Sequence, residues 1–407
     1  MTDGVAVTGI GLVTPAGIGV DRAWQGVLSG RSTGAKDPNL AGIPIDISCR
    51  VADFDGNELL GRKAARRLDR FVQLGLVAAR EAVADSGLDP DTWDGARVGA
   101  VIGCGMGGAA TWEAQHTTLM ERGPERVSPM LIPMLIPNMV AGHIAIEFHA
   151  NGPNLVTATA CTSGATAIGV ARDLLRTGAC DVVITGGTEA GLTPLSIAAF
   201  GQMHALSGRV DDPAAASRPF DVDRDGFVAA EAAGVLVIER AEHAAARGAR
   251  VRGRVLGYGA SADAHHITAP DPEGVGVGLA IQSALRDAGI GPSEVDHINA
   301  HGTSTPLNDA AESRVIRRVF GDDAPPVTST KGVTGHSLGA AGAIEAVFSL
   351  LAIQDGLLPP TANLTDQDPE IDLDIVSGEP RKADPEVVMS NSFGFGGQNG
   401  VLVLARA

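Results

Sequence analysis

The sequence predicts an α/β protein built from stacked layers of helices and buried strands. Short apolar or β-branched runs, such as residues 98–102 and 182–185, alternate with alanine-rich stretches of helical character, such as residues 163–176. Hydrophobic residues make up 44% of the 407 residues but aromatic residues only 3%, and 53 glycines allow close approach of backbones. This composition favours tight layers whose core is filled by small aliphatic side chains.

Eight short runs are predicted to be strands because each is apolar or β-branched and is bounded by turn residues. They are residues 5–8, 98–102, 154–158, 182–185, 234–239, 297–300, 326–329 and 387–390. Two of them run into a turn of small residues and then a helix, at residues 163–176 and 338–354. This repeat predicts two similar halves, residues 1–250 and 251–407, with the junction near residues 247–255.

Charge and cysteine usage limit the partners and the compartment. The 31 basic and 48 acidic residues give a net charge of −17, which argues against nucleic acid or an anionic membrane as the main partner. The N-terminal residues 1–4 lack the basic region of a secretion signal, and the apolar residues 130–140 are interrupted by prolines. The cysteines form no C-x-x-C pair; they are Cys49, Cys104, Cys161 and Cys180. We therefore expect a cytoplasmic protein in a reducing compartment.

Two ligand-binding motifs are matched only in part. Residues 103–108 fit G-x-G-x-x-G, but residues 115–126 read as a polar loop where a second strand ending in an acidic residue is needed for dinucleotide binding. Residues 221–226 copy the first half of a calcium loop, but Ala232 occupies the position that requires a bidentate glutamate. We expect a glycine-rich turn and a salt-bridged turn at these places, and no metal site.

Cys161 is the candidate nucleophile. It lies among small residues where a predicted strand ends and a predicted helix begins, and the positive end of a helix dipole stabilises a thiolate. A lone cysteine is more often a small buried apolar residue, so this position needs support from other residues.

Two histidines give that support. His301 and His336 each follow a predicted strand and lie next to glycine, rather than on an apolar helix face. Zinc ligation with Cys161 is a weaker alternative because no fourth ligand is evident. A second alternative is the G-x-S-x-G match at residues 335–339, which makes Ser337 a rival nucleophile, although residues 331–334 read as a loop where a strand is needed.

Residues 391–400 form a glycine-rich segment after the last predicted strand. Its free backbone N–H groups either help to form an oxyanion hole or belong to an ordinary hairpin.

Residues 62–70 place Arg62, Arg66 and Arg70 at four-residue spacing. This segment is either a solvated helix face or a docking patch for an acidic protein.

The ordered motifs resemble those of the elongating β-ketoacyl-acyl-carrier-protein synthases, including type II polyketide ketosynthases. They are residues 7–11, 159–164, 186–189, 217–221, 224–227, 301–305, 331–336 and 394–397, which span most of the chain. The resemblance implies the thiolase-like five-layered α/β/α/β/α fold of two similar halves, with the nucleophile in the first half and both histidines in the second. It also implies a dimer, either a homodimer or a heterodimer with a chain-length-factor-like subunit.

The resemblance assigns roles to the candidate residues. Cys161 accepts an acyl group, and neutral His301 and His336 stabilise the enolate formed when malonyl-acyl-carrier protein loses carbon dioxide. The backbone N–H groups of Cys161 and Phe395 hold the oxyanion, and Phe395 also gates the pocket. The charges that support the histidines belong to Lys331 and Glu345.

The resemblance also implies substrate and carrier-protein contacts. The substrate-binding residues are Thr303, Thr305, Met106, Gly394 and Gly396. The acyl carrier protein supplies its own phosphopantetheine arm, so no bound cofactor is expected, and it docks on Arg62, Lys63, Arg66, Arg67, Arg126 and Arg209. Ala232 and Gln398 depart from the usual family residues. A serine acyltransferase or hydrolase using Ser337 and a non-catalytic partner subunit stay open as alternatives, as do the pathway and the chain length.

Overall fold

The computed structural model describes residues 5–407. Residues 1–4, which entered the expectation about a secretion signal, lie outside the described residues. The strands are β1 (Val5–Thr14), β2 (Gly17–Ile18), β3 (Ala35–Lys36), β4 (Ile47–Ser48), β5 (Val98–Gly103), β6 (Asn154–Thr157), β7 (Val182–Glu189), β8 (Ala232–Glu239), β9 (Gly253–Ala262), β10 (His297–Asn299), β11 (Val327–Thr328), β12 (Leu357–Leu358), β13 (Arg381–Lys382), β14 (Val387–Gly394) and β15 (Gln398–Ala405).

The α-helices alternate with these strands. They are α1 (Val20–Leu28), α2 (Gly56–Leu60), α3 (Arg62–Ala65), α4 (Arg70–Ser86), α5 (Ala109–Arg122), α6 (Leu131–Leu135), α7 (Met139–Glu147), α8 (Ser163–Arg176), α9 (Pro194–Gln202), α10 (Ala241–Ala246), α11 (Val275–Ala288), α12 (Pro306–Phe320), α13 (Lys331–Thr334) and α14 (Ala341–Asp355).

Strand topology repeats between the two parts of the chain. The first part has the order β6–β5–β7–β8–β1, and the second has the order β11–β10–β14–β15–β9. In each part the first three strands of this order are parallel, and the remaining neighbours are antiparallel. The predicted repeat of two similar halves is therefore confirmed, while the boundary at residue 250 stays a prediction.

Five layers follow from how the helices pack. The central helices α8 and α14 contact each other and also contact strands of both halves, so they lie between the two five-stranded parts of the sheet. Helices α4 and α7 cover the outer side of the first half, and α11, with α12 beside it, covers the second. Close packing in the central layer needs small residues: a Cβ on Gly164 would lie 2.8 Å from the backbone nitrogen of Ala343.

Helix α14 is apolar because it is a core helix. Its residues from Ala341 to Ile353 are all buried. The segment Leu338–Asp355 is long and apolar enough to cross a membrane, but 83% of it is buried inside the protein. Its composition is therefore accounted for by packing between the two halves.

Some sequence-based predictions were wrong. Residues 115–126, expected to be a polar loop, fall largely within α5, and residues 331–334 form the short helix α13. Strands β9 and β15 were not predicted, although they link the two halves through the pairing of β9 with β1. Helix α8 has the predicted bounds, which are set by the glycine-rich and small-residue turns around it.

Candidate active site

Residues from both halves line one cavity of about 550 Å³. Cys161 reaches it from the start of α8, and His301 and His336 reach it from the loops that follow β10 and α13. The structure therefore brings together three side chains that are far apart in the sequence. A cavity of this size suits a small-molecule or acyl ligand.

Cys161 lies in a strained turn just before α8. Its neighbour Ala160 has φ of 50°, and a Cβ on Gly394 would lie 2.9 Å from the Cys161 backbone nitrogen, so the β14–β15 hairpin presses directly against the nucleophile turn. Residue Cys161 is 8% exposed, and burial raises the pKa of its thiol to about 12. The charge of Lys331 and the backbone N–H of Phe395 oppose this rise. Burial therefore opposes the thiolate that the position at a helix start was expected to favour.

His301 is held through its backbone. Its N–H and that of Gly302 donate hydrogen bonds of 2.8 and 2.9 Å to the carboxylate of Glu312 on α12. Glu312 is buried and also accepts a hydrogen bond from Asn391 at 3.1 Å. Glu312 was not predicted from the sequence because it carries no motif of its own; the available signal was its place shortly after the His301 loop.

His336 is fixed by main-chain pairing. Its N–H donates to the Val228 carbonyl at 2.8 Å, and its carbonyl accepts from the Ala230 N–H at 3.0 Å. Its ring meets the Phe227 ring edge to face, with centroids 5.2 Å apart. The rings of His301 and His336 are almost perpendicular, at 86°, with centroids 5.3 Å apart. The two imidazoles thus form a rigid pair at the cavity wall.

A buried ion pair lies behind the histidines. Lys331 and Glu345, each with a side chain 1% exposed, are in direct contact and do not line the cavity. Burial, followed by the charge of Lys331, holds the pKa of His301 and of His336 well below the ordinary value, so both rings are neutral near pH 7. Burial raises the pKa of Glu345 to about 7, although Lys331 opposes the rise. Neutral imidazoles can donate a hydrogen bond without carrying charge into the cavity.

The other predicted substrate contacts fall into two groups. Thr303, Thr305, Met106, Gly394 and Phe395 line the cavity, and the hydroxyl oxygens of the two threonines lie 2.9 Å apart. Gly396 is exposed and does not line it. The glycine-rich segment is a hairpin turn, as one of the two interpretations has it, and it places the Phe395 N–H close to the Cys161 thiol. Its part in an oxyanion hole stays a prediction.

Ser337 lacks the setting of an exposed nucleophile. It is 1% exposed, does not line the cavity, and follows helix α13 rather than a strand. A nucleophile elbow requires a strand that runs into a sharp turn and presents the hydroxyl to the substrate. The geometry therefore favours Cys161 over Ser337.

The two partial ligand motifs have internal partners. The backbone N–H groups of Gly105 and Met106 donate to the carboxylate of Glu189 at 2.8 and 3.1 Å, so the chain's own side chain occupies the place of an anion at the glycine-rich turn. Glu189 was given no role in the sequence analysis. Asp221 pairs with Arg218 at 3.0 Å, as expected for a salt-bridged turn. Within residues 5–407 there is no cluster of three or more metal-ligating His, Cys, Asp or Glu side chains.

The basic residues 62–70 do not form one helical face. Helix α3 ends at Ala65, α4 begins at Arg70, and Arg70 pairs with the buried Glu231 at 2.6 Å, which removes it from any docking surface. Arg209 is partly buried and donates to the carbonyl of Asp223. The other predicted docking residues are exposed and form no ion pair with residues 5–407; they are Arg62, Lys63, Arg66, Arg67 and Arg126.

Comparison with known proteins gives consistent matches over the whole length. The model of the β-ketoacyl synthase N-terminal domain matches residues 2–244, and that of the C-terminal domain matches residues 252–365. A 3-oxoacyl-[acyl-carrier-protein] synthase 2 from Synechocystis sp. is 47% identical over 408 residues, covering 99% of this chain and 98% of the relative.

Two solved structures have the same fold. One is a type II polyketide synthase acyl-carrier protein in complex with its ketosynthase bound to the hexaketide, which matches with a TM-score of 0.92 and 33% identity over 100% of both chains. The other is the ishigamide ketosynthase/chain length factor, with a TM-score of 0.91 and 35% identity over 100% of this chain and 99% of that chain. The five-layered thiolase-like fold is thereby confirmed. With both family models matching and a relative 47% identical over nearly its whole length, the chain belongs to the β-ketoacyl synthase family of condensing enzymes.

Proposed function

We propose that this chain catalyses the decarboxylative Claisen condensation of an acyl group on Cys161 with malonyl-acyl-carrier protein, in fatty acid or type II polyketide chain elongation. The observation that carries the proposal is the meeting of Cys161, His301 and His336 at one cavity. The curated relative is a 3-oxoacyl-[acyl-carrier-protein] synthase 2, and the similar solved structures hold ketosynthases.

The first half-reaction loads the enzyme. The sulfur of Cys161 attacks the thioester carbonyl carbon, its proton leaves, and the pantetheine thiol departs after taking up a proton. The backbone N–H groups of Cys161 and Phe395 donate to the oxygen that becomes negatively charged. Because burial keeps the resting thiol protonated, with a pKa of about 12, loading requires its proton to be removed during the attack.

The second half-reaction forms the carbon–carbon bond. His301 and His336 donate hydrogen bonds to the thioester oxygen of the malonyl group, whose C–CO₂ bond breaks to release carbon dioxide and leave an enolate. The enolate carbon attacks the acyl carbon on Cys161, and the tetrahedral adduct expels the cysteine thiolate, which is reprotonated. Burial keeps both imidazoles neutral, and Lys331 acts from behind as a positioning charge that adds to this effect.

Intact-protein mass spectrometry tests the assignment of the nucleophile. Incubation with acyl-acyl-carrier protein should add one acyl mass to the wild-type chain and to Ser337→Ala, and none to Cys161→Ala. Ser337 is a matched control because it is also a buried residue close to the site in sequence. An adduct that persists in Cys161→Ala and disappears in Ser337→Ala would establish the serine alternative.

A catalytic role also separates this chain from a non-catalytic partner subunit. The complete set of Cys161, His301 and His336 in one chain supports catalysis. Release of carbon dioxide from malonyl-acyl-carrier protein by the purified chain, and its loss in His301→Ala, is the expected result. Equal release by both proteins would refute the role given to His301.

The acyl carrier protein is the proposed docking partner of the exposed basic residues. A cluster of unpaired cations on a chain of net charge −17 is suited to an acidic protein surface. One similar solved structure holds an acyl-carrier protein in complex with its ketosynthase. In this proposal the carrier's phosphopantetheine arm passes Thr303 and Thr305, which line the cavity, and no other cofactor is needed.

A second copy of this chain is the proposed partner at the β6 edge of the sheet. Strand β6 is a terminal strand in the described sheet, and two of its four residues are exposed, which makes it able to pair with another strand. Large apolar side chains are exposed nearby in sequence; they are Trp112, Met120, Ile132, Ile146 and Leu155. Light scattering of the purified chain should give twice the monomer mass. A monomer that dimerises only with a chain-length-factor-like subunit would replace the homodimer with a heterodimer.

The proposed compartment rests on the redox state of the cysteines. Four buried free cysteines suit a reducing environment, and we propose that the protein acts in the cytoplasm. Fractionation of cells that express a tagged chain tests this proposal, and recovery in the membrane pellet after a high-salt wash would contradict it.

A further inference from the structure

A buried carboxylate that the proposed reaction does not use lies beside the nucleophile. Glu189 ends strand β7, is completely buried, and lines the same cavity as Cys161. None of the ion pairs found in residues 5–407 includes Glu189. A charge buried without a cation is costly unless several hydrogen bonds compensate it, so its surroundings need an explanation.

The hydrogen bonds of Glu189 join two separate loops. One carboxylate oxygen accepts from the Gly105 N–H at 2.8 Å and from the Gly339 N–H at 3.2 Å. The other accepts from the Met106 N–H at 3.1 Å and contacts the Cys104 sulfur at 3.4 Å. Residues 104–106 form the turn that carries the cavity-lining Met106, whereas Gly339 belongs to the turn that follows His336.

The donors around Glu189 favour the ionised form of its carboxylate. Each oxygen faces two groups that can donate, three of which are backbone N–H groups that cannot accept. A proton on either oxygen would point at a donor, so the hydrogen bonds favour the ionised carboxylate and oppose burial, which raises the pKa of Glu189 above its ordinary value.

We propose that Glu189 is a positioning residue that clamps the acyl-pocket turn at Met106 to the turn carrying His336, and that its negative charge, in the same cavity as Cys161, adds to burial in disfavouring the thiolate. The tight fit supports the clamp: a Cβ on Gly339 would lie 2.6 Å from a Glu189 oxygen and 2.7 Å from the Gly105 nitrogen. The charge of Glu189 acts on the Cys161 thiol in the direction that raises its pKa. The part of this inference that concerns acyl chains rests on the proposed function.

The Glu189→Gln variant separates this role from simple core packing. The glutamine amide has one acceptor oxygen, which can accept from two backbone N–H groups only if it faces Gly105 and Gly339. Its NH₂ group, which is a donor, then faces the Met106 N–H, which is also a donor. Because two donors repel each other, Met106 should shift towards the cavity. Loading of Cys161 by long acyl chains should fall about tenfold relative to short chains, since one unmade buried hydrogen bond costs about 1–2 kcal/mol.

The second measurement is the rate at which iodoacetamide alkylates Cys161, followed by intact mass from pH 7 upward. Removing a nearby negative charge stabilises the thiolate and lowers the thiol pKa. Each unit of lowering raises the thiolate fraction tenfold but reduces its nucleophilicity, so the rate at neutral pH should rise about threefold per unit. This assay needs no carrier protein, so its outcome does not depend on the proposed function.

Two further variants serve as controls. Gly339→Ala disturbs the clamp but keeps the charge, so it should impair long-chain loading without accelerating alkylation. Glu239→Gln changes another completely buried glutamate, which is the last residue of β8 and pairs with Arg247. This variant should change neither readout while lowering the Tm. If Glu189→Gln lowers only the Tm and leaves the chain-length range and the alkylation rate as in the wild type, Glu189 is a packing residue and the proposal is wrong.

Discussion

The contact between Gly394 and the nucleophile turn gives a sharp test of the oxyanion hole. A methyl group at residue 394 would place its carbon 2.9 Å from the Cys161 nitrogen and 3.1 Å from the Thr159 oxygen. Both neighbours are main-chain atoms, and carbon contacts normally begin near 3.5 Å, so the hairpin has to retreat by about half an ångström. The retreat carries the Phe395 N–H away from the oxygen of an acyl group on Cys161.

The expected loss in Gly394→Ala is specific to acyl transfer. Removal of one oxyanion donor typically lowers kcat by about 10²–10³, and this loss should appear in the rate of Cys161 acylation measured by rapid-quench mass spectrometry. Decarboxylation of malonyl-acyl-carrier protein uses the histidine pair and should fall by less than about tenfold.

The control for this variant is Gly400→Ala in the partner strand of the hairpin. A Cβ on Gly400 has its nearest neighbour at 3.5 Å, an ordinary contact, so this variant should acylate at the wild-type rate. Equal losses of acylation and decarboxylation in Gly394→Ala, or wild-type acylation, would show that the hairpin does not supply the oxyanion donor.

Three further outcomes are expected. Lys331→Met should lower the free energy of unfolding in urea by about 3–5 kcal/mol because it strands the buried carboxylate of Glu345, and adding Glu345→Leu should recover most of the loss; no recovery would mean that the pair is not coupled. Alkylation of Cys161 should accelerate by about tenfold per pH unit from pH 7 to about 10, because the folded thiol pKa of about 12 keeps the thiolate scarce, and a plateau below about pH 9 would contradict that pKa. Arg62→Glu with Arg66→Glu should raise the KM for carrier protein without changing the rate with a small pantetheine thioester; an unchanged KM would refute docking at this surface.

Strands with strong local signals were predictable from the sequence. Strands β5 and β7 are visible as short apolar runs rich in valine and isoleucine. The bounds of α8 are marked by small residues at one end and a glycine turn at the other. Strand β9 was missed because three of the four buried positions on its inner face are glycines, Gly253, Gly257 and Gly259, which weaken the apolar pattern. Its role depends on pairing with β1 and β15, which is a long-range property.

The sequence predicted the site residues whose type and neighbours are unusual. It did not predict common residues whose importance depends on their contacts in the folded protein. Cys161, His301 and His336 stand out beside glycines and small residues. Glu312 and Glu189 do not, because a glutamate is ordinary in sequence and only burial against backbone N–H groups reveals its function. The elevated pKa of Cys161 was equally hidden, since desolvation depends on all surrounding elements.

The division of the site between two halves has a consequence for the nascent protein. Chains emerge N-terminus first, so Cys161 leaves the ribosome long before the residues around His336 and Phe395 exist in folded form. In that interval α8 lacks the helix α14 that covers it in the finished protein. An incomplete chain that ends before His301 therefore holds a thiol without the means to consume malonyl groups, and wasteful loss of that precursor cannot begin until the second half has been made and has folded.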